Sequence, residues 1–154
     1  MKRKYTRADF QMSRSDRDRL KGVKPVMIRL AERIYRLFPQ QFDRRILRLR
    51  IDPRGGKRTR AVQRLLFETG ASKTMDSAHL KGEAIDFVIQ IKINGRWEPI
   101  WEKQLYVQLY HEVIAPAAED IGIAIRWGGD WDGDLASNDE TFFDGPHVEL
   151  KRAA

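Results

Sequence analysis

Apolar residues recur at two different spacings along this chain, and these spacings predict both helices and strands. Val26, Leu30, Ile34 and Leu37 fall at helical spacing behind Pro25, a residue suited to a first helical turn. The same reasoning predicts helices over 25–38, 58–69 and 102–121, the first ending before Pro39 and the last bent near Pro116, and strands over 44–51, 84–91, 97–101, 121–127 and 146–150.

Two of the predicted strands carry polar residues on one face. Aliphatic and aromatic residues alternate along 84–91, so Asp86 faces away from the apolar side of its own strand. In 146–150, His147 and Glu149 share one face. Separately, Asn94-Gly95 predicts a hairpin turn between the strands at 84–91 and 97–101. These elements predict an α+β domain with a small, mostly antiparallel sheet and flanking helices.

Composition narrows the chemistry that the chain can perform. With 154 residues and 42% apolar content, we expect one domain over residues 1–154. The chain has no cysteine, which excludes a disulfide scaffold, a thiolate-bound metal and a cysteine nucleophile. A transition metal would therefore be held by His, Asp or Glu.

Charge is distributed unevenly along the chain. Residues 1–64 contain 21 Lys and Arg against 6 Asp and Glu, whereas residues 65–154 contain 8 against 16. The basic half is suited either to a polyanionic partner or to a solvated surface that keeps a small protein soluble. No apolar stretch has the length of a signal peptide or a membrane span, so we expect a protein that folds in the cytoplasm and does not insert into membranes.

Two short segments about sixty residues apart carry the candidate chemistry. The segments 77–86 and 144–150 supply His79, Asp86 and His147, which is the ligand set of an open catalytic zinc site. The small residues Gly82 and Ala84 lie between the first two ligands and would let the backbone pass close to the metal. Such a site leaves a fourth position for water.

A hydrolytic zinc site also needs a carboxylate that takes a proton from the attacking water and gives it to the leaving amine. Asp144 lies three residues before His147 and is our candidate. Glu149 is the competing candidate, since it shares the face of His147, but a role in fixing a histidine proton or nearby backbone suits it better.

The acidic loop 130–141 places aspartates at the first, third and fifth positions of a calcium loop. It lacks the glycine at the sixth position and the glutamate at the twelfth, so it is not an EF-hand. We keep Ca²⁺ binding as an alternative to an acidic, solvated lid over the cleft.

The segments occur in an order that resembles a known enzyme family. G-A-S-K-T at 70–74, S-x-H-x-x-G-x-A-x-D at 77–86, W-G-G-D-W at 127–131 and D-x-x-H-x-E-L at 144–150 are similar to phage endolysins of the L-alanyl-D-glutamate peptidase type. These belong to the VanY-like zinc peptidases, named for D-Ala-D-Ala carboxypeptidases. The resemblance covers about residues 20–151 and implies the small α+β fold shared with hedgehog-type domains.

The resemblance also implies roles for individual residues. His79, Asp86 and His147 would bind Zn²⁺, Asp144 would be the catalytic acid and base, and Arg58 would polarise the scissile carbonyl. Arg60 or Arg54 could take the place of Arg58, because the segment 39–55 departs from the family pattern. Ser72 and Gln63 match positions that line the substrate cleft in relatives.

We therefore expect a zinc metallopeptidase that cuts the stem peptide of bacterial peptidoglycan between L-Ala and D-Glu during host lysis. A monomer is expected, held in the cytoplasm of the host bacterium until a separate membrane-permeabilising protein lets it reach the periplasm and cell wall. One alternative is a D,D-carboxypeptidase or dipeptidase of the same fold. Another is a basic nucleic-acid-binding protein with a structural metal, which is disfavoured because the cations are not interleaved with aromatic platforms.

Overall fold

The structure, a computed structural model, describes residues 12–133 and 142–151. Its elements in chain order are α1 (Arg14–Arg19), α2 (Pro25–Gln41), β1 (Leu47–Ile51), α3 (Arg60–Glu68), a 3₁₀ helix (Ala78–Lys81), β2 (Ala84–Ile93), β3 (Arg96–Pro99), α4 (Lys103–Leu109), a π-helical turn (Tyr110–Ile114), α5 (Ala115–Ile121), β4 (Ile125–Trp127) and β5 (His147–Leu150).

The strands form one antiparallel sheet in the order β1-β2-β5-β4, and β3 pairs with the far half of β2. The ten-residue strand β2 is central, since β1, β3 and β5 all pair with it. Asn94 and Gly95 both have positive φ, as the predicted hairpin turn between β2 and β3 requires. The α+β prediction with a small antiparallel sheet is confirmed.

One face of the sheet packs against the helices and forms the core. Ile85, Phe87 and Ile89 of β2 are fully buried there, together with Leu30 and Ile34 of α2. Because side chains alternate along a strand, residues 84, 86 and 88 point to the opposite face. The sheet thus separates the hydrophobic core from the surface that carries the polar residues of the two segments.

The helix α2 extends further than its sequence predicted. It continues through Pro39 to Gln41 and ends where Phe42 adopts an extended backbone. Proline in the last turn removes a single hydrogen bond, and the burial of Phe38 and Pro39 favours this turn despite that loss. The prediction that α2 ends before Pro39 was wrong.

Two other boundaries differ from the prediction. The strand predicted over 121–127 begins at Ile125, because Gly122 ends α5 with a left-handed backbone (φ 72°). The helix predicted over 102–121 is interrupted by the π-helical turn at Tyr110–Ile114, and Pro116 lies in the first turn of the α-helix that follows. Within the described part of the chain, no helix is both long enough and apolar enough to cross a membrane.

The helix α1, which the apolar pattern did not indicate, is anchored by a buried carboxylate. Asp16 is fully buried and accepts hydrogen bonds from the Tyr35 hydroxyl (2.7 Å) and the backbone N–H of Ile51 (3.2 Å). The guanidinium of Arg50 also lies 3.1 Å from its carboxylate. These contacts join α1, α2 and β1, the strand that leads into the site.

The helix α3 is capped by the Thr59 hydroxyl, which accepts from the Val62 N–H. Gln63 is its one buried residue, and Leu65 is 49% exposed. The helix therefore does not pack into the core but covers one side of the cleft described below.

Candidate metal and active site

The 3₁₀ helix at Ala78–Lys81 holds His79 in a fixed orientation. The Ser77 hydroxyl caps this helix by accepting from the His79 N–H, and Gly82 ends it with φ 68°. A side chain at Gly82 would collide with the Gly22 carbonyl, so Gly82 is required for packing against the N-terminal segment rather than for access to a metal. The imidazole of His79 is 1% exposed.

Asp86 and His147 are brought together by strand pairing, because they are direct partners in the β2–β5 register. The segment before β5 is held by Gly128, whose N–H donates to the His147 carbonyl and whose carbonyl accepts from the Asp144 N–H, both at 2.8 Å. A Cβ at Gly128 would collide with the Asp144 carbonyl. Glycine at this position therefore lets β4 hold Asp144 and His147 close together.

One potential ligand atom from each of His79, Asp86 and His147 lies close to the other two, so that the three atoms form a small triangle. His79 Nε2 lies 3.2 Å from Asp86 Oδ1 and 3.3 Å from His147 Nδ1, and the last two atoms are 3.0 Å apart. Ligands at zinc-bond distances in a tetrahedral site are about 3.3 Å apart, so the triangle has the size that such an ion requires. This buried group could bind a metal ion.

The outer nitrogens of both imidazoles have acceptors that suit metal ligation. His79 Nδ1 lies 2.8 Å from the Gly56 carbonyl, and His147 Nε2 lies 2.8 Å from Glu149 Oε1. A proton on each outer nitrogen leaves a lone pair on the inner nitrogen that faces the triangle. Glu149 therefore contacts His147 in the manner expected of a carboxylate that fixes a histidine proton.

The two aspartates of the site have opposite electrostatic environments. Burial alone would raise the pKa of Asp86, but the neighbouring His79 and His147 outweigh it and hold that pKa well below its usual range. Burial raises the pKa of Asp144 to about 6, and the negative charge of Asp86 contributes to this rise. Asp86 is thus kept as an anion, whereas Asp144 can exchange a proton near neutral pH.

Arg58 lies beside the metal-ligating group and is held on three sides. Its Nη2 donates to Asp86 Oδ2 (2.9 Å), its Nη1 to Gln63 Oε1 (3.1 Å) and its Nε to the Arg54 carbonyl (2.7 Å). The Arg58 N–H also donates to the His79 carbonyl. The structure therefore brings Arg58 to the site, whereas Arg60 opens α3 and is exposed.

The two residues predicted to line the substrate cleft are connected to Arg58. Gln63 Nε2 donates to the Ser72 hydroxyl (2.9 Å) and to the Thr74 carbonyl (2.7 Å). Ser72 lines the cleft, but Gln63 is fully buried behind it. In this arrangement Gln63 fixes the guanidinium of Arg58 and the loop that carries Ser72.

The metal-ligating triad, which consists of His79, Asp86 and His147, opens into a cleft of about 1380 Å³. Trp131 forms one wall, with its ring centroid 5.2 Å from that of His147 and its Nε1–H donated to the Phe142 carbonyl. Trp101, which is 60% exposed, lines the cleft as well. The lining also includes basic side chains from several segments: Arg54, Arg58, Lys73, Arg126 and Lys151.

Comparison with known proteins assigns the chain to a family. The family model described as phage L-alanyl-D-glutamate peptidase matches residues 8–151. The chain belongs to the phage L-alanyl-D-glutamate peptidase family.

Individual members of the family support this assignment. The L-alanyl-D-glutamate peptidase of Escherichia phage T5 is 30% identical over 147 residues, which cover 92% of this chain and 98% of that protein. The enzyme of the same name from Listeria phage A118 is 33% identical over 93 residues, which are 60% of this chain and 27% of that protein.

A solved structure agrees with the fold. The crystal structure of the Serratia marcescens L-Ala D-Glu endopeptidase ChiX superposes with a TM-score of 0.66 at 28% identity, covering 93% of this chain and 91% of that one.

Some cleft residues were not identified from the sequence of this family member. Lys73 lies in the G-A-S-K-T motif at 70–74, but the motif alone did not assign it to the cleft. Arg126 belongs to no motif, and only its register opposite Glu149 places it on the cleft face. The proposed calcium loop 130–141 falls largely outside the described residues, which stop at 133 and resume at 142.

Proposed function

We propose that this protein is a zinc-dependent peptidase that hydrolyses the L-Ala–D-Glu bond of the peptidoglycan stem peptide during lysis of a host bacterium. The observation that carries the proposal is the triangle of His79, Asp86 and His147 donor atoms, with Asp144 and Arg58 beside it in one cleft. The choice of the L-Ala–D-Glu bond rests on the names of similar proteins, which are L-alanyl-D-glutamate peptidases. Entry to the wall through a separate membrane-permeabilising protein, and action as a monomer, are parts of this proposal.

A zinc ion held by His79, Asp86 and His147 would act as a Lewis acid and would lower the pKa of a bound water molecule to about 7. Asp144 takes the proton from the attacking water, because burial raises the pKa of its carboxyl and so makes its carboxylate a better base than an exposed aspartate. It then returns that proton to the departing amine of the glutamate residue. One carboxylate thus acts as base and then as acid.

Arg58 stabilises the negative charge that develops on the carbonyl oxygen. Its three side-chain contacts occupy three of the five N–H groups of a guanidinium and fix its plane. The remaining N–H groups are available to the carbonyl oxygen without reorganisation of the side chain. A donor fixed in this way contributes about 3 to 4 kcal/mol to transition-state stabilisation.

The affinity for zinc is expected to increase with pH. In the metal-free protein burial lowers the pKa of His147, but hydrogen bonds to Asp86 and Glu149 outweigh it and raise this pKa from 6.5 to about 9. The imidazolium therefore stabilises the metal-free fold fully below pH 6.5, and this stabilisation is lost as pH rises through about 9. Zinc must displace the Nδ1 proton, so its apparent dissociation constant should fall about tenfold per pH unit in this interval.

Competition with a chromophoric chelator at several pH values measures this dependence. An apparent zinc affinity that does not change between pH 6.5 and pH 9 would contradict the double hydrogen bonding of His147 to carboxylates.

Digestion of purified peptidoglycan by the zinc-loaded protein, followed by mass spectrometry of the new termini, tests the proposed function. A new D-Glu amino terminus is the expected product. Release of D-Ala would instead support a D,D-carboxypeptidase, and absence of any cleavage would exclude both peptidases. Salt-sensitive DNA binding that survives replacement of His147 would support the nucleic-acid-binding alternative.

A further inference from the structure

We propose that Arg126 binds the free carboxylate of the substrate's glutamate residue and so selects glutamate over its amide. This inference rests on the proposed function. A glutamate residue has two carboxyl groups, of which one continues the peptide chain and the other stays negatively charged at neutral pH. Cleavage at the amine of this residue places that charge only a few bonds from the scissile carbonyl, where a nearby cation would stabilise it.

The sheet places Arg126 on the same face as the proposed metal ligands. Arg126 in β4 is the register partner of Glu149 in β5, two residues beyond His147. Strand spacing of about 4.8 Å and a rise of about 3.4 Å per residue put the Cα atoms of Arg126 and His147 about 8 Å apart. The long arginine side chain can therefore reach a group bound next to the metal-ligating triangle.

The guanidinium of Arg126 is positioned by an aromatic support. Its Cζ lies 4.8 Å from the centre of the Trp131 ring. Trp131 is itself fixed by its hydrogen bond to the Phe142 carbonyl and by its contact with the His147 ring. Stacking on an aromatic face leaves the N–H groups in the guanidinium plane available, and two parallel N–H groups match the geometry of a carboxylate.

The other cations of the cleft are less suited to this task. Arg58 uses three N–H groups to hold its own place at Asp86, on the side of the triad that faces β1. Lys73 lies over the Phe142 ring at 5.7 Å and presents a point charge without a planar fork. A peptide that lies across the strands would meet Arg58 on one side of the triad and Arg126 on the other.

Kinetics with two synthetic peptides tests this proposal. The peptides contain the L-Ala–D-Glu bond and differ only in whether the glutamate carboxyl outside the chain is free or amidated. The wild-type protein is expected to prefer the free acid by about ten- to a hundredfold in kcat/KM, mainly through KM, as a charge-assisted hydrogen bond gives. Arg126→Gln should lose this preference, and Arg126→Lys should keep part of it.

The ratio between the two peptides separates recognition of charge from general damage to the cleft. If Arg126→Gln only displaced Trp131 or impaired folding, it would slow cleavage of both peptides and leave their ratio of kcat/KM values unchanged. An unchanged ratio in Arg126→Gln would therefore contradict the proposal. Arg54→Gln and Lys151→Gln remove other cleft cations and should keep the wild-type ratio; loss of the ratio in either variant would assign the role elsewhere. Equal cleavage of both peptides by the wild-type protein would also overturn the proposed role of Arg126. If the wild-type protein cleaves neither peptide, the proposed function itself is refuted.

Discussion

Replacing Asp144 with Asn is expected to abolish most turnover while leaving the metal site intact. Asparagine has nearly the same shape, but its amide cannot take a proton from water or return one to the leaving amine. Asp144 is not one of the three residues whose donor atoms form the metal-ligating triangle. We therefore expect kcat to fall by about a hundred- to ten-thousandfold, with zinc content by elemental analysis still near one ion per chain.

Glu149→Gln is the matched control, because Glu149 is the competing candidate for the carboxylate that transfers the proton. It contacts the outer nitrogen of His147 and should influence activity through the orientation of this ring. Loss of such an outer contact costs about ten- to a hundredfold in metal affinity or activity. A larger loss of kcat in Glu149→Gln than in Asp144→Asn, or loss of zinc from Asp144→Asn, would assign the proton transfer to Glu149.

The alternation of residues along the strands was sufficient to predict which face of the sheet Asp86, His147 and Glu149 occupy. Asp86 and His147 lie on the face opposite to the core, and the β2–β5 register then makes them direct neighbours. This success has a simple cause. A strand with one buried face has a single register that keeps its apolar residues inside, so local sequence determines orientation.

Contacts between distant segments could not be predicted in this way. The hydrogen bonds from Gln63 to Ser72, and from Arg58 to Gln63, join residues whose meeting depends on how α3 lies across the cleft. Helical periodicity places Leu65 on an apolar side of α3, yet this side chain is half exposed because α3 does not pack into the core. Asp16 is a similar case, since a carboxylate in a short polar helix gives no local sign of full burial.

Replacing either candidate histidine ligand with alanine is expected to remove both zinc and activity. His79 Nε2 and His147 Nδ1 each form one corner of the triangle, and two remaining ligands do not hold zinc in a tetrahedral site. Loss of the Lewis acid removes several kcal/mol of transition-state stabilisation, so kcat/KM should fall about a thousandfold or more. Zinc content and peptidoglycan cleavage are measured together, with near-ultraviolet circular dichroism to verify the fold.

His111, the third histidine of the chain, provides the control for this pair of variants. It is exposed and packs edge-on against Tyr110, with ring centroids 5.2 Å apart, and it does not belong to the metal-ligating triangle. His111→Ala should therefore keep full zinc content and wild-type cleavage. Removal of zinc from the wild-type protein by a chelator should abolish cleavage reversibly, whereas added zinc should not restore the His79 and His147 variants. Stoichiometric zinc in His147→Ala, or cleavage by the chelated wild-type protein, would show that the triangle is not the catalytic metal site.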